Sequence, residues 1–202
     1  MSQSHSVVDS KKPPGQNRPG GRTERSRIAV AEAVLAFLHR GVGDFSVDDI
    51  AEASGIHRTT IYRRWPTRAL LVEEALTLHK VAIKYPDSGS WQKDIKLLAK
   101  EMASFALEPL EITCTAIVVS EPKSAISKVL TDHWGPIMVK IREVMQRGID
   151  RGEVRKDINM EVMVDHLTCP FMVRAAVTHV AIDDTFINGV ADAVIHAGKA
   201  GP

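Results

Sequence analysis

Three small or aliphatic residues within Val47–Pro66 stand at a spacing that brings two short helices together across a tight turn. Ala51 is small enough for the helices to approach closely, and Gly55, four residues later, permits a left-handed turn. Ile61 then supplies an apolar side chain for the buried side of the second helix. Residue types in this order and at this spacing predict a helix-turn-helix.

The second helix of this motif has one buried and one outward face. With Ile61 set inward and about 100° of rotation per residue, Trp65 points into the same core. Thr59 and Arg63 then point away from it. The outward face is therefore polar and carries a positive charge.

Further polar side chains widen that outward face. Thr60 and Tyr62 flank it, and Arg58 and Arg64 lie at its shoulders. In a DNA major groove Arg63 can pair with guanine, while threonines can meet thymine methyl groups or phosphates and a tyrosine can contact phosphate or sugar. A merely solvated polar face is the alternative interpretation.

Apolar residues at three- and four-residue steps make the remainder of the chain helical in pattern. Ile28, Ala31, Leu35 and Leu38 begin this pattern. Prolines and glycines then separate further helices, predicted at 66–84, 90–107, 109–120, 123–151, 158–180 and 183–198. The predicted fold class is all-α, with about nine helices and no internal repeat.

Charge is distributed unevenly along a chain whose formal net charge is only +1. Residues 1–68 hold 11 basic and 7 acidic side chains, whereas residues 69–202 hold 15 and 18. The excess of positive charge near the start favours a contact with nucleic acid or a membrane there. Residues 1–21, rich in Ser, Pro, Gly and Gln, form a basic tail that we expect to be disordered.

Several classes of protein are disfavoured by what the sequence lacks. Cys114 and Cys169 form no disulfide framework or CxxC motif, which favours a reducing compartment. Residues 1–21 contain no apolar stretch of signal-peptide type, and no apolar segment approaches the roughly 20 residues that span a bilayer. We expect a soluble, cytoplasmic protein without a membrane partner.

Catalytic signatures are also missing. The sequence has no HExxH, GxSxG, P-loop or strand-associated GxGxxG pattern, and Asp192 with His196 reads as a surface pair. We therefore expect no enzyme, no metal site and no cofactor. An all-α enzyme remains one alternative, and an interaction adaptor without DNA binding is another, although the adaptor leaves the outward face of the second helix unexplained.

Residues 22–72 resemble the tetracycline-repressor (TetR) family of bacterial transcription regulators. The resemblance rests on Phe45–Ala51, Ser54–Ile56 and Thr60–Leu71. It implies a three-helix DNA-binding headpiece, assigned to residues 22–68, and an effector-binding and dimerisation domain, assigned to residues 69–202.

The resemblance also implies which residues contact DNA. Its base-contacting positions fall on Arg58, Thr59, Thr60, Tyr62 and Arg63. Its phosphate contacts fall on Ser46 and Arg68, at helix N-termini that attract phosphate. His57 stands where serine is common, so either the cap of the second helix is lost or His57 reaches a phosphate. Arg22 is expected to touch the backbone or the minor groove.

A weaker resemblance covers the C-terminal part, from Arg151–Glu153 to the last helix. It implies a homodimer, for which Phe171, Val190 and Val194 are candidate interface or core residues. Arg174 is expected either to pair with Asp183 or Asp184 or to bind an anionic effector. The candidate ligand-lining residues are Met102, Phe105, Trp134, Ile137, Met138, His166 and Arg174.

These expectations combine into one hypothesis about function. The chain is a sequence-specific, double-stranded-DNA-binding transcription regulator that recognises an inverted-repeat operator as a homodimer. It is expected to be a repressor, released from the operator when an unknown small-molecule effector binds.

Overall fold

A computed structural model describes residues 21–199, apart from the side chain of Arg22. The predicted disorder of the N-terminal tail therefore falls almost entirely outside the described residues. So does the predicted DNA contact of the Arg22 side chain.

Within the described range the fold is all-α, as predicted, and contains nine α-helices. An isolated antiparallel bridge between Val154 and Lys199 is the single β-type pairing in residues 21–199. The helices are α1 (Arg22–His39), α2 (Val47–Ser54), α3 (Arg58–Arg64), α4 (Arg68–Leu76), α5 (Trp91–Ala106), α6 (Pro109–Ser120), α7 (Ala125–Asp150), α8 (Met160–Val173) and α9 (Asp184–Gly198).

The fourth helix is shorter than the sequence predicts. It ends at Leu76 instead of residue 84. Beyond it the chain is non-helical, and Val81, Ile83 and Tyr85 pack against the core while Ala82 and Lys84 between them are exposed. This alternation is the period of an extended segment. The apolar side chains that predicted a helix therefore pack against the core from an extended backbone.

The helix predicted over 158–180 also divides. Its α-helical part runs through Pro170 to Val173 and then widens into a π-helical turn at Arg174–Thr178. His179 follows in the left-handed conformation, with φ of 52°. The continuous apolar pattern therefore spans two kinds of helical turn.

Two hydrophobic cores organise the molecule. The first is filled by α1–α4 together with α6 and the first part of α7, and the second by α5, the rest of α7, α8 and α9. Helix α4 supplies Ala69, Leu71, Val72, Ala75 and Leu76 to the first core. The packing unit around the headpiece thus extends beyond residue 68, where the sequence analysis drew the domain boundary.

Trp91 is held between two glycines in the second core. A Cβ at Gly148 of α7 would lie 2.7 Å from Cε3 of the indole, and one at Gly198 of α9 would lie 3.0 Å from Cζ2. The indole ring therefore occupies space that side chains would otherwise fill, and it joins α5 to both helices.

The turn after α7 fastens the start of α5. Glu153 accepts a hydrogen bond from the backbone N–H of Trp91 at 2.7 Å and also pairs with Arg151. Arg151 also lies 3.4 Å from the fully buried carboxylate of Asp94. The hydrogen bond from Arg151 to Glu153 is the main reason that the pKa of the Glu153 carboxyl is lowered. The segment Arg151–Glu153, which carried part of the family resemblance, thus has a structural role.

Both cysteines are free thiols. Cys169 is exposed, whereas Cys114 lies in the first core. Burial, reinforced by the nearby Glu111 carboxylate, raises the pKa of the Cys114 thiol, so this group stays protonated.

No single helix in residues 21–199 is long and apolar enough to cross a membrane. Helices α5 and α6 reach the required length and composition only together, and they are bent by 77° at their junction. Helix α5 contributes buried residues to the second core, and α6 contributes buried residues to the first.

Candidate nucleic-acid interface

The first helix of the predicted motif begins with a reciprocal cap. The backbone N–H of Asp49 donates to the Ser46 hydroxyl at 3.2 Å, and the Ser46 backbone N–H donates to the Asp49 carboxylate at 2.7 Å. The Ser46 hydroxyl also donates to that carboxylate, and these bonds lower the pKa of the Asp49 carboxyl. The helix then ends at Gly55, whose φ of 67° is the left-handed turn that the sequence predicts.

His57 caps the second helix of the motif. Its Nδ1 accepts a hydrogen bond from the Thr59 backbone N–H at 3.3 Å and lies 2.6 Å from the Thr59 hydroxyl. The imidazole thus replaces the serine common at this position, and the cap is retained. This bond also requires that Nδ1 carry no proton.

The orientation of α3 matches the rotation predicted from the sequence. Ile61 is completely buried and Trp65 is nearly so, and both belong to the first core. Thr59, Tyr62 and Arg63 are exposed on the other side of the helix.

Positive charge on the outward face is available for a partner. Arg58 is exposed and Thr60 half-buried. Within residues 21–199, the side chains of Arg58, Tyr62 and Arg63 make no hydrogen bond or ion pair of the standard geometry. The structure therefore brings together five residues predicted to contact bases: Arg58, Thr59, Thr60, Tyr62 and Arg63.

Arg64 serves the headpiece instead. Its guanidinium lies 4.8 Å from the Trp65 ring centroid and donates to the backbone carbonyl of Thr23 at 3.3 Å. It thus connects α3 to the start of α1. A recess of about 580 Å³ lies between these two helices and is lined in part by His57, Thr60 and Arg63.

The two residues predicted to bind phosphate have different surroundings. The Ser46 hydroxyl is exposed at the start of α2 within its cap. Arg68 is half-buried, donates to the Gly43 carbonyl at 3.1 Å and pairs with Glu121 at the end of α6. Arg68 thus already joins the headpiece to α6, and its phosphate contact stays a prediction.

Glu74 is a residue that the sequence analysis missed. Its carboxylate lies 3.1 Å from Nε of Arg27 on α1 and accepts a hydrogen bond from Nε1 of Trp65 at 3.2 Å. It therefore fixes α4 to both α1 and the end of α3. The partners lie 47 and 9 positions away in the chain, and no local pattern marks them.

The predicted ligand-lining residues do not lie together. Met102, Phe105 and Ile137 are buried in the second core, and Trp134 and Met138 are partly buried against it. His166 and Arg174 instead line an open recess of about 620 Å³ beside α8, together with Cys169, Val173 and Phe186.

Arg174 forms neither of the ion pairs that the sequence analysis considered. Its guanidinium donates to the Ala181 carbonyl at 2.6 Å and stacks 3.4 Å from the Phe186 ring centroid. No salt bridge to Asp183 or Asp184 occurs in the described part of the chain. Asp183 instead caps α9 by accepting from the Phe186 backbone N–H.

Two of the three candidate interface or core residues are packed inside the single chain. Phe171 is completely buried and Val194 is 1% exposed within this single chain, so neither has surface left for a partner. Both pack in the second core, where Phe171 meets Phe186 edge to face. Val190 is only partly buried, and its interface role stays a prediction.

Two family models match the chain. The model described as "Bacterial regulatory proteins, tetR family" matches residues 29–75, and "Tetracyclin repressor-like, C-terminal domain" matches residues 85–194. The first covers the headpiece described above, and the second covers most of the second core.

Individual proteins agree with these matches. The "HTH-type transcriptional regulator AqdR" of Rhodococcus erythropolis is 30% identical over 80% of this chain and 79% of its own length. The "DNA-binding transcriptional repressor TetR" of Mycobacteroides abscessus is 26% identical over 85% and 92%. A TetR transcriptional regulator from Agrobacterium tumefaciens has the same fold, with a TM-score of 0.66 at 15% identity over 85% of this chain and 92% of that one.

Proposed function

Because the chain belongs to the TetR family of bacterial regulators, we propose that it is a repressor that binds an inverted-repeat operator as a homodimer. The chain is a DNA-binding transcription regulator and not an enzyme. The repressor assignment follows the mechanism typical of the family, in which a small-molecule effector releases the operator.

The outward face of α3 carries the proposal. Arg58 and Arg63 are exposed there without an intramolecular ion pair in residues 21–199, next to Thr59 and Tyr62. Exposed guanidinium groups at this spacing fit guanine edges and phosphates of a major groove. We assign base contacts to Arg58, Thr59, Thr60, Tyr62 and Arg63, and backbone contacts to Ser46, His57, Arg68 and Arg22.

A second exposed surface supports the homodimer. Val162, His166, Cys169 and Val173 are exposed on α8 at steps of three and four residues, and Val177 is exposed just beyond them. An apolar face of this kind, paired with itself about a two-fold axis, gives an isologous interface. A two-fold dimer in turn presents two α3 helices to two half-sites about 34–36 Å apart.

Effector release requires an effector that binds one arrangement of the dimer better than the other. The residues that we assign to it lie in two places. The recess beside α8 presents His166 and Arg174, and the second core contains Met102, Phe105, Ile137 and Met138, with Trp134 beside them. An effector bound at either place acts on the operator by shifting the separation of the two α3 helices.

Selection of bound fragments from random double-stranded DNA tests the proposal. We expect enrichment of an inverted repeat with half-sites centred about one helical turn apart, or a multiple of it. The purified full chain is the reagent, and Arg63→Ala is selected in parallel. Enrichment of a single, non-repeated site contradicts the dimer, and the absence of any enriched sequence contradicts the operator-binding assignment and favours the adaptor.

A further inference from the structure

Three donor side chains from separate segments meet beside the junction of the two cores. His79 lies just after α4, Glu111 lies on α6 and His133 lies on α7. One ligand atom from each residue lies within 4.8 Å of the other two, the single such group of three or more in the described residues. The two imidazole centroids are 5.8 Å apart.

Two buried atoms of this cluster make no hydrogen bond. The Glu111 side chain is 1% exposed, and its Oε2 accepts a hydrogen bond from Nε1 of Trp134 at 2.8 Å. Its Oε1 lies 3.3 Å from Nε2 of His79 without the alignment of a hydrogen bond, and Nε2 of His133 has no partner either. An unsatisfied buried polar atom destabilises the fold, so a shared cation would relieve both atoms at once.

The donor types suit a transition-metal ion. Imidazole nitrogen binds zinc at about 2.0–2.1 Å and carboxylate oxygen at about 2.0–2.2 Å, and two such ligands of a tetrahedral ion are then about 3.3–3.5 Å apart. The distance of 3.3 Å between His79 Nε2 and Glu111 Oε1 already matches that separation. A ligand atom of His133 lies within 4.8 Å of the ligand atoms of His79 and Glu111. Small side-chain rotations bring it into the coordination shell of the same ion.

The surroundings supply what such a site further requires. The indole N–H of Trp134 donates to Oε2 of Glu111 and so holds this carboxylate in place. Hydrogen bonds from neighbouring residues commonly orient metal-binding carboxylates in this way. His133 also lines a recess of about 260 Å³ with Thr77 and Asp132, which gives an ion and a water ligand a route to the cluster.

We propose that His79, Glu111 and His133 bind one divalent transition-metal ion, with water in the remaining coordination position. Sequence motifs do not reveal this site because its ligands come from three segments 22–32 positions apart. An ion held there joins the end of α4, which follows the headpiece, to α6 and α7 of the core. The proposal is independent of operator binding.

Zinc titration by calorimetry and cobalt titration by visible absorption test the site in the full-length protein after treatment with a chelator. We expect one ion per wild-type chain, and a cobalt spectrum of tetrahedral nitrogen and oxygen ligands. Glu111→Gln and His133→Gln each weaken binding at least about tenfold. His196→Gln, which changes an exposed histidine of α9, is the matched control and binds as the wild type does.

A second readout protects the test against misfolded variants. Zinc raises the melting temperature of the wild type, because a ligand that prefers the folded state stabilises it. Glu111→Gln keeps the size of the side chain and removes a buried charge, so it folds and its melting temperature does not respond to zinc. Wild-type affinity in Glu111→Gln, equal loss in His196→Gln, or no saturable binding by the wild type overturns the proposal.

Discussion

Arg63 and Arg68 have the same charge but different surroundings. Arg63 is exposed on α3 and forms no ion pair within residues 21–199, whereas Arg68 pairs with Glu121 and donates to the Gly43 carbonyl. A guanidinium free of internal contacts can be directed at a base edge. One already held by the core is better suited to a fixed backbone contact or to packing.

Arg63→Ala is therefore expected to relax the choice of base at one position in each half-site. Loss of a bidentate arginine–guanine pair costs about 1–3 kcal/mol at the operator, with little change on unrelated DNA. Titration of operator, single-base variants and unrelated DNA at several salt concentrations measures this. Arg68→Ala is the matched control, and it should weaken all sequences alike and reduce the salt dependence. An unchanged base preference in Arg63→Ala contradicts the assigned face.

Local patterns predicted the residues of the motif because their roles depend on near neighbours. Ser46 and Asp49, three residues apart, form a reciprocal cap, and Gly55 adopts the predicted left-handed turn. Glu74 and the cluster around Glu111 escaped prediction because their partners are brought close only by the folded chain. A single sequence holds no local signal for such contacts.

At the scale of helices, the periodic pattern predicted where helices occur better than where they end. Helix α4 ends at Leu76, and Val81, Ile83 and Tyr85 then pack, partly buried, from an extended segment. Apolar side chains at mixed spacings fit either a helix or an extended segment. Which of the two backbone conformations forms depends on the surface against which these side chains pack. That surface belongs to the second core, which is assembled from distant helices.

Two helical glycines offer a test of this tertiary packing, Gly148 in α7 and Gly189 in α9. Gly148→Ala places a methyl group 2.7 Å from the Trp91 ring, so it is expected to destabilise the fold by about 1–3 kcal/mol. Gly189→Ala meets no atom within 4 Å outside its own stretch of helix and should stabilise α9 by up to about 1 kcal/mol. Urea unfolding of each variant, at equal protein concentration, measures both effects.

Both glycine variants add one methyl group inside a helix, and the structure distinguishes them by the space around that group. Trp91 is also confined by Gly198 on its other side, which limits how far the indole can move away. A Gly148→Ala protein as stable as Gly189→Ala would show that the ring is not held as tightly as the structure indicates.

At the scale of the whole molecule, the headpiece and the core are joined rather than separate. The first core contains Leu110, Cys114 and Ile117 of α6 beside the headpiece residues, and Arg68 pairs with Glu121 at the end of the same helix. The charge asymmetry of the sequence therefore separates a DNA-binding part from the rest of the chain. The first hydrophobic core nevertheless contains residues from both sides of that boundary. A rearrangement of α6 in the core is transmitted to the headpiece by direct contact.

The dimer makes a final prediction, for the exposed face of α8. Val173 is 46% exposed there, so Val173→Asp leaves the single chain folded. In a two-fold interface the same change buries two like charges close together, which costs several kcal/mol. We expect the dimer dissociation constant to rise at least about a hundredfold, equivalent to about 2.8 kcal/mol, as measured by sedimentation equilibrium.

Val139→Asp is the matched control, because Val139 is 51% exposed and belongs to α7 instead of α8. It should leave both the dimer and operator binding unchanged. A monomeric Val173→Asp protein keeps its α3 face, so it should bind an isolated half-site as the wild-type chain does but lose the gain from a second half-site. If Val173→Asp remained a dimer while Val139→Asp dissociated, the two-fold axis would lie at α7 and the assigned interface would be wrong.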